Sequence, residues 1–223
     1  MTAKNLCLEH IVRPPSRISE KAPTLIMLHG YGSNEQDLFS FAPEFDDSYL
    51  IVSARAPLSM QGGGHAWYEI GIEPGGTKFV NDGQALKSRD LIARFIDEVI
   101  ADYPANPEQL VLFGFSQGAI LSYAVSLSFP QKVSRVVAMS GYVHEELLEE
   151  GYEKNDFSHL RMYCSHGSVD QVVPVAWDRK TKPFLDSLNI ENHYSEFPVG
   201  HGVCPQNFAE IKTWLDKSFK TSQ

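Results

Sequence analysis

The chain has 223 residues, 43% of them hydrophobic and 21% charged, the balance of a globular protein able to bury one large core without disulfide or metal staples. Its 19 Lys+Arg against 28 Asp+Glu give a formal net charge of −9, which argues against a phosphate-neutralising nucleic-acid surface and against anionic membranes. Three cysteines (Cys7, Cys164, Cys204) without repeated spacing make no disulfide framework, and residues 1–10 lack the basic start and apolar run of a secretory signal; both point to the cytoplasm.

In chain order, residues 6–12 alternate and carry Glu9 and His10, which suits an edge strand and allows an antiparallel one. Residues 24–29 (TLIMLH) and 50–54 (LIVSA) are short apolar runs, the pattern of strands buried on both faces. Leu91, Ile92, Phe95, Ile96, Val99 and Ile100 form the stripe of an amphipathic helix, stopped by Tyr103-Pro104. Residues 109–131 contain no charge and approach the length of a membrane span, but Gly114, Gly118 and Pro130 divide them. They read better as a strand over 110–115, a turn, and a buried helix over 119–129. Strands over 133–139, 160–166 and 193–197 follow. Residues 174–188, opened by Pro174, and 207–219 are the remaining helices. This alternation predicts a mostly parallel sheet with helices on both faces, in one domain spanning 1–223. Ligands in such sheets sit at the carboxyl ends of the strands.

The residues that follow each strand therefore matter most. Gly114-Phe115-Ser116-Gln117-Gly118 is G-x-S-x-G between a strand and a helix, the arrangement that holds a serine nucleophile on a strained turn. Its partners are expected in the order Ser, Asp/Glu, His. Late in the chain stand His193 and His201; His193 begins a strand, whereas His201 lies between Gly200 and Gly202 in a loop after the last strand. For the acid, Asp170 lies in the loop after the 160–166 strand. Asp156 precedes that strand, and Asp178 falls inside a helix, where a solvated face is expected. Ser116, Asp170 and His201 are thus the candidate triad. The Gln117 amide and an amide of the Gly30-Tyr31-Gly32 loop, assigned to Tyr31, are the candidate oxyanion donors. His29 reads as a histidine bonded to nearby loop backbone. Trp67, Tyr68 and Val172 are candidates for the substrate pocket, with core packing an equal alternative. His201 and Cys204 make only half of a metal motif, so no metal is expected.

The same motifs resemble the phospholipase/carboxylesterase family of α/β-hydrolases, which includes the acyl-protein thioesterases. The resemblance rests on Leu28-His29-Gly30-Tyr31-Gly32-Ser33, Arg55-Ala56-Pro57, Ala66-Trp67-Tyr68-Glu69, the Ser116 pentapeptide, Ser140-Gly141, the segment from His166-Gly167 through Asp170 to Pro174, and Gly200-His201. It implies the same triad and oxyanion donors, no cofactor, and hydrolysis of small-molecule esters or thioesters through an acyl-enzyme; the chain length leaves little room for a large cap domain. Glu69 departs from the family's usual Asp. The acidic run of Glu145, Glu146, Glu149, Glu150, Glu153 and Asp156 reads as a solvated face that disfavours anionic lipids. The expected activity is that of a carboxylesterase. An acyl-protein thioesterase or lysophospholipase is the alternative within the fold, and a non-catalytic ligand-binding protein the alternative from another class. Stable membrane insertion is not expected, and a homodimer is left open.

Overall fold

A computed structural model describes residues 4–16, 21–72 and 78–220. The chain runs β1 (His10–Arg13), β2 (Ala22–Leu28), α1 (Gln36–Phe39), β3 (Leu50–Ala54), β4 (Leu58–Ser59), β5 (His65–Ala66), β6 (Ile70–Ile72), β7 (Lys78–Val80) and α2 (Asp82–Asp102). It continues with β8 (Ala105–Phe115), α3 (Gln117–Ser128), β9 (Arg135–Met139), β10 (Arg161–Gly167), α4 (Val175–Asp178), α5 (Thr181–Ser187), β11 (Glu191–Phe197) and α6 (Pro205–Lys220). Seven strands form one sheet in the order β1-β3-β2-β8-β9-β10-β11. All neighbours are parallel except β1, which pairs antiparallel with β3 as an edge.

Period-two alternation divides the core into two layers. Ile26 and Leu28 of β2, Leu110 and Leu112 of β8, and Val136 and Ala138 of β9 face a layer built from α2, α3 and Leu185 of α5. Leu25, Met27, Val111, Phe113, Val137 and Met139 face the opposite layer, closed by Leu38 of α1 and Ile211 and Leu215 of α6. At roughly 1.5–3 kcal/mol for each fully buried large apolar side chain, these layers supply the main drive for folding. The uncharged 109–131 stretch is the end of β8, the turn and the wholly buried α3. Among the described residues no helix is long and apolar enough to cross a membrane.

Three expectations need correction. The strand predicted from residue 6 forms only at His10–Arg13. The strand predicted from Leu110 starts at Ala105, where β8 carries extra residues opposite Pro23: Ala22 pairs with Ala105, and Thr24 already pairs with Leu110. The helix predicted over 174–188 is broken into α4 and α5. Pro183 explains the break. In a continuous helix its ring would collide with the carbonyl four residues back, at Arg179, whereas in the first turn of α5 its missing N–H costs nothing. By contrast, α2 ends where predicted, because Pro104 holds Tyr103 in extended backbone (φ −121°, ψ 162°).

Candidate active site

The turn between β8 and α3 holds Ser116 at φ 55° and ψ −117°, a strained conformation for a residue with a side chain. Its neighbours must be small. A Cβ on Gly118 would lie 1.9 Å from the Leu28 carbonyl oxygen, and one on Gly114 would lie 2.4 Å from the Gly118 oxygen. The turn is pinned by the Ser116 amide donating to Met139 O at 2.9 Å.

Ser116 Oγ lies 3.0 Å from His201 Nε2, and His201 Nδ1 lies 2.7 Å from Asp170 Oδ2. The three residues come from three loops at the carboxyl ends of β8, β10 and β11. The last two loops are stitched together: Ser168 donates to Phe197 O at 2.7 Å and Val169 to Val199 O at 3.2 Å. The Asp170 side chain is fully buried. Its Oδ1 accepts the amides of Val172 (2.7 Å) and Val173 (2.9 Å). Burial alone would raise the carboxyl's pKa. The hydrogen bond from His201 and those of the two amides outweigh it and hold Asp170 below the usual carboxylate range. Asp170 is therefore ionised at neutral pH and can orient an imidazole.

The loop after β2 reaches the serine from the other side. A Cβ on Gly30 would sit 3.3 Å from Ser116 Cβ, so Tyr31 begins directly beside the nucleophile. His29 holds this loop from beneath. Its Nδ1 donates to Gly30 O (2.7 Å) and its Nε2 accepts the Ala56 amide (3.0 Å), the loop-backbone role expected of it. The Gln117 side chain accepts from the Trp67 amide (3.1 Å) and donates to Tyr68 O (2.8 Å), tying the 67–68 segment to the serine turn.

Above Ser116 opens a cavity of about 340 Å³. Tyr31, Tyr68, Val172 and His201 line it with Ile70, Val80, Phe115, Ile120, Tyr142 and Trp177. Tyr68 and Val172 thus stand where a substrate would contact them. Trp67 does not. It is sealed in the core, with Nε1 donating to His29 O at 2.9 Å, so its place is support for the loop. Ile70, Val80, Tyr142 and Trp177 also line the cavity without a sequence signal that marks them. Ile70 and Val80 sit on the small β6–β7 hairpin, too short to give a periodic signal. Asp178 also departs from expectation: it is buried, not solvated, and meets His166. The six residues of the acidic run are exposed as expected. Glu145 and Glu146 border a second groove that shares Tyr142 and Trp177 with the cavity.

The family model described as Phospholipase/Carboxylesterase matches residues 10–219. Acyl-protein thioesterase 1 of Saccharomyces cerevisiae is 28% identical over 228 residues, covering 94% of this chain and 99% of that protein. Carboxylesterase SOBER1 of Arabidopsis thaliana is 24% identical over 209 residues, covering 89% and 91%. Among solved structures, the Bacillus cereus carboxylesterase superposes with a TM-score of 0.81 at 19% identity, covering 95% of this chain and 94% of that one, a likeness of fold.

Proposed function

From the premise that this chain belongs to the phospholipase/carboxylesterase family, we propose that it hydrolyses carboxylic esters through an acyl-enzyme on Ser116. The observation that carries the reading is the continuous chain from Ser116 Oγ to His201 (3.0 Å) and from His201 to Asp170 (2.7 Å), placed under an apolar cavity. His201 takes the serine proton as Ser116 attacks the carbonyl, and returns it to the leaving group. Asp170 holds the imidazole and balances its charge. The Tyr31 and Gln117 amides, on either side of Ser116 and the second at the start of α3, receive the oxyanion. Water then repeats the sequence and frees the acid. The chain acts as one domain, with the cavity's apolar wall taking the acyl group. Glu145 and Glu146 outnumber Lys180 along the adjoining groove, which favours a neutral ester over an anionic lipid. Three free cysteines, two of them partly exposed, fit a reducing cytoplasm.

The test uses a fluorophosphonate and a p-nitrophenyl ester. Wild type should label at Ser116, and Ser116→Ala should lose at least about 10³-fold in kcat/KM. Undiminished hydrolysis by Ser116→Ala would show the mechanism to be wrong. Likeness to an acyl-protein thioesterase favours a second reading, an acyl-thioester substrate. Comparing an S-acyl-cysteine peptide with p-nitrophenyl esters of matched chain length separates the two.

A further inference from the structure

Next to the triad acid, a second histidine–aspartate pair is sealed inside the protein. His166, in the last turn-ward residues of β10, has a side chain with no exposure, and Asp178, closing α4, is 1% exposed. His166 Nδ1 lies 3.1 Å from Asp178 Oδ2. Its Nε2 lies 2.9 Å from the Val173 carbonyl oxygen and 3.4 Å from Asp170 Oδ2, the same oxygen that receives His201. Both ring nitrogens therefore face acceptors. A carbonyl has no proton to give, and an ionised carboxylate has none either. A neutral imidazole carries one N–H, so with both aspartates ionised one ring lone pair would point at an oxygen lone pair in a site without solvent. An imidazolium donates to both sides. The pair could instead place its proton on Asp178, but imidazole is ordinarily the more basic group by more than two pH units.

We propose that His166 is a positioning residue of the active site: a buried imidazolium, neutralised by Asp178, that fixes the 170–173 turn and limits how strongly Asp170 draws a proton onto His201. The turn is held because His166 donates to the Val173 carbonyl while Asp170 accepts the Val173 amide, gripping that residue from both of its peptide groups. The electrostatic part follows from position. A positive charge 3.4 Å from Asp170 Oδ2 competes with His201 for the same carboxylate in a low-dielectric interior. Burial opposes the charge on His166, but the hydrogen bonds to Asp178 and to the Val173 carbonyl outweigh it, and the proton is held above the ordinary histidine range. Burial also pushes the Asp178 carboxyl up.

Other charged and titratable groups surround the pair; Lys182, which faces Cys164, is paired with Asp186 at 2.9 Å. Glu196, opposite His166 across the β10–β11 register, is clamped by Arg179 through two bonds of 2.7 Å. The Tyr194 hydroxyl gives its one proton to Glu196 (3.2 Å). Cys164 and Tyr123, near Asp178, are held protonated by burial. None of these supplies a second cation to Asp170.

This inference rests on Ser116, His201 and Asp170 being the triad, and the experiment keeps the two apart. The pH dependence of kcat/KM for p-nitrophenyl acetate is measured for wild type, His166→Gln and Asp178→Asn. His166→Gln removes the cation beside Asp170; Asp178→Asn removes the carboxylate that holds it and offers Nδ1 an amide donor, so that a neutral ring suffices; in both, Asp170 holds the His201 proton more firmly. The acidic limb should move to higher pH by about half a pH unit in both. A lowered plateau with an unmoved limb means that His166 only supports the fold, and overturns the proposal. Should either variant fail to fold, wild-type protein with ¹⁵N-labelled histidine decides. His166, assigned through its backbone resonances, should show two protonated ring nitrogens at neutral pH, and one pyridine-type nitrogen overturns the proposal. If Ser116→Ala keeps its activity, the triad itself is at fault; if Ser116 is essential and the limb stays put, only the role of His166 falls.

Discussion

His29 and His166 occupy matching places on opposite sides of the nucleophile. Each stands at the carboxyl end of a buried strand, each precedes a glycine, and each is at most 1% exposed. Each holds a loop that serves Ser116, the oxyanion loop in one case and the Asp170 loop in the other. Their partners differ. His29 has one acceptor, the Gly30 carbonyl, and one donor, the Ala56 amide, which a neutral imidazole satisfies completely. His166 has acceptors on both sides. Burial accordingly pushes His29 below the ordinary histidine range, with the Gly30 carbonyl opposing it only in part, whereas carboxylate contact takes His166 above it. The same His-Gly pair thus yields a neutral support and a charged one, and the partners decide which.

Mutating each histidine to leucine should show the largest contrast. His166→Leu leaves Asp178 buried without its counter-charge and should cost about 3–5 kcal/mol by urea unfolding. His29→Leu leaves the Ala56 amide unpaired, while the Gly30 carbonyl keeps the Ser33 amide, and should cost about 1–3 kcal/mol. Equal losses would erase the distinction. The pH dependence of stability should differ in sign. His29, with its folded pKa lowered, contributes fully above the unfolded value of about 6.5, and the contribution is lost as pH falls below it. His166, with its folded pKa raised, contributes fully below about 6.5 and loses that contribution as pH rises through the folded value. Urea midpoints across a pH series should therefore lose part of their acid-side slope in His29→Leu and part of their alkaline-side slope in His166→Leu. The smallest effect belongs to the cavity rim. Val172 is 57% exposed, so Val172→Ala should change stability by less than about 0.5 kcal/mol. It should still lower kcat/KM for p-nitrophenyl butyrate more than for the acetate, and equal changes would remove Val172 from the acyl site.

Much of the site was legible because its signals are local. The glycines at 114 and 118 answer backbone approaches within one turn, and the loops that carry Asp170 and His201 follow strands marked by continuous apolar runs. The rest depends on distant neighbours. Trp67 and Tyr68 are adjacent and both buried, yet one donates to the His29 carbonyl and the other lines the cavity, with Gln117 bonded to the backbone of both. In sequence Asp178 reads as part of a solvated helix face. The break ahead of Pro183 leaves α4 a single turn, and that turn sets Asp178 against His166, twelve residues earlier.

The sequence by itself determined the strand–helix alternation, the nucleophile turn and the order of Ser116, Asp170 and His201. Each of these is written in the spacing of neighbouring residues. Only the tertiary structure decided which aromatic side chains meet a substrate and which buried histidine carries a charge. Both depend on donors and acceptors brought from separate strands, and no local pattern records what a side chain will face once the sheet has closed around it.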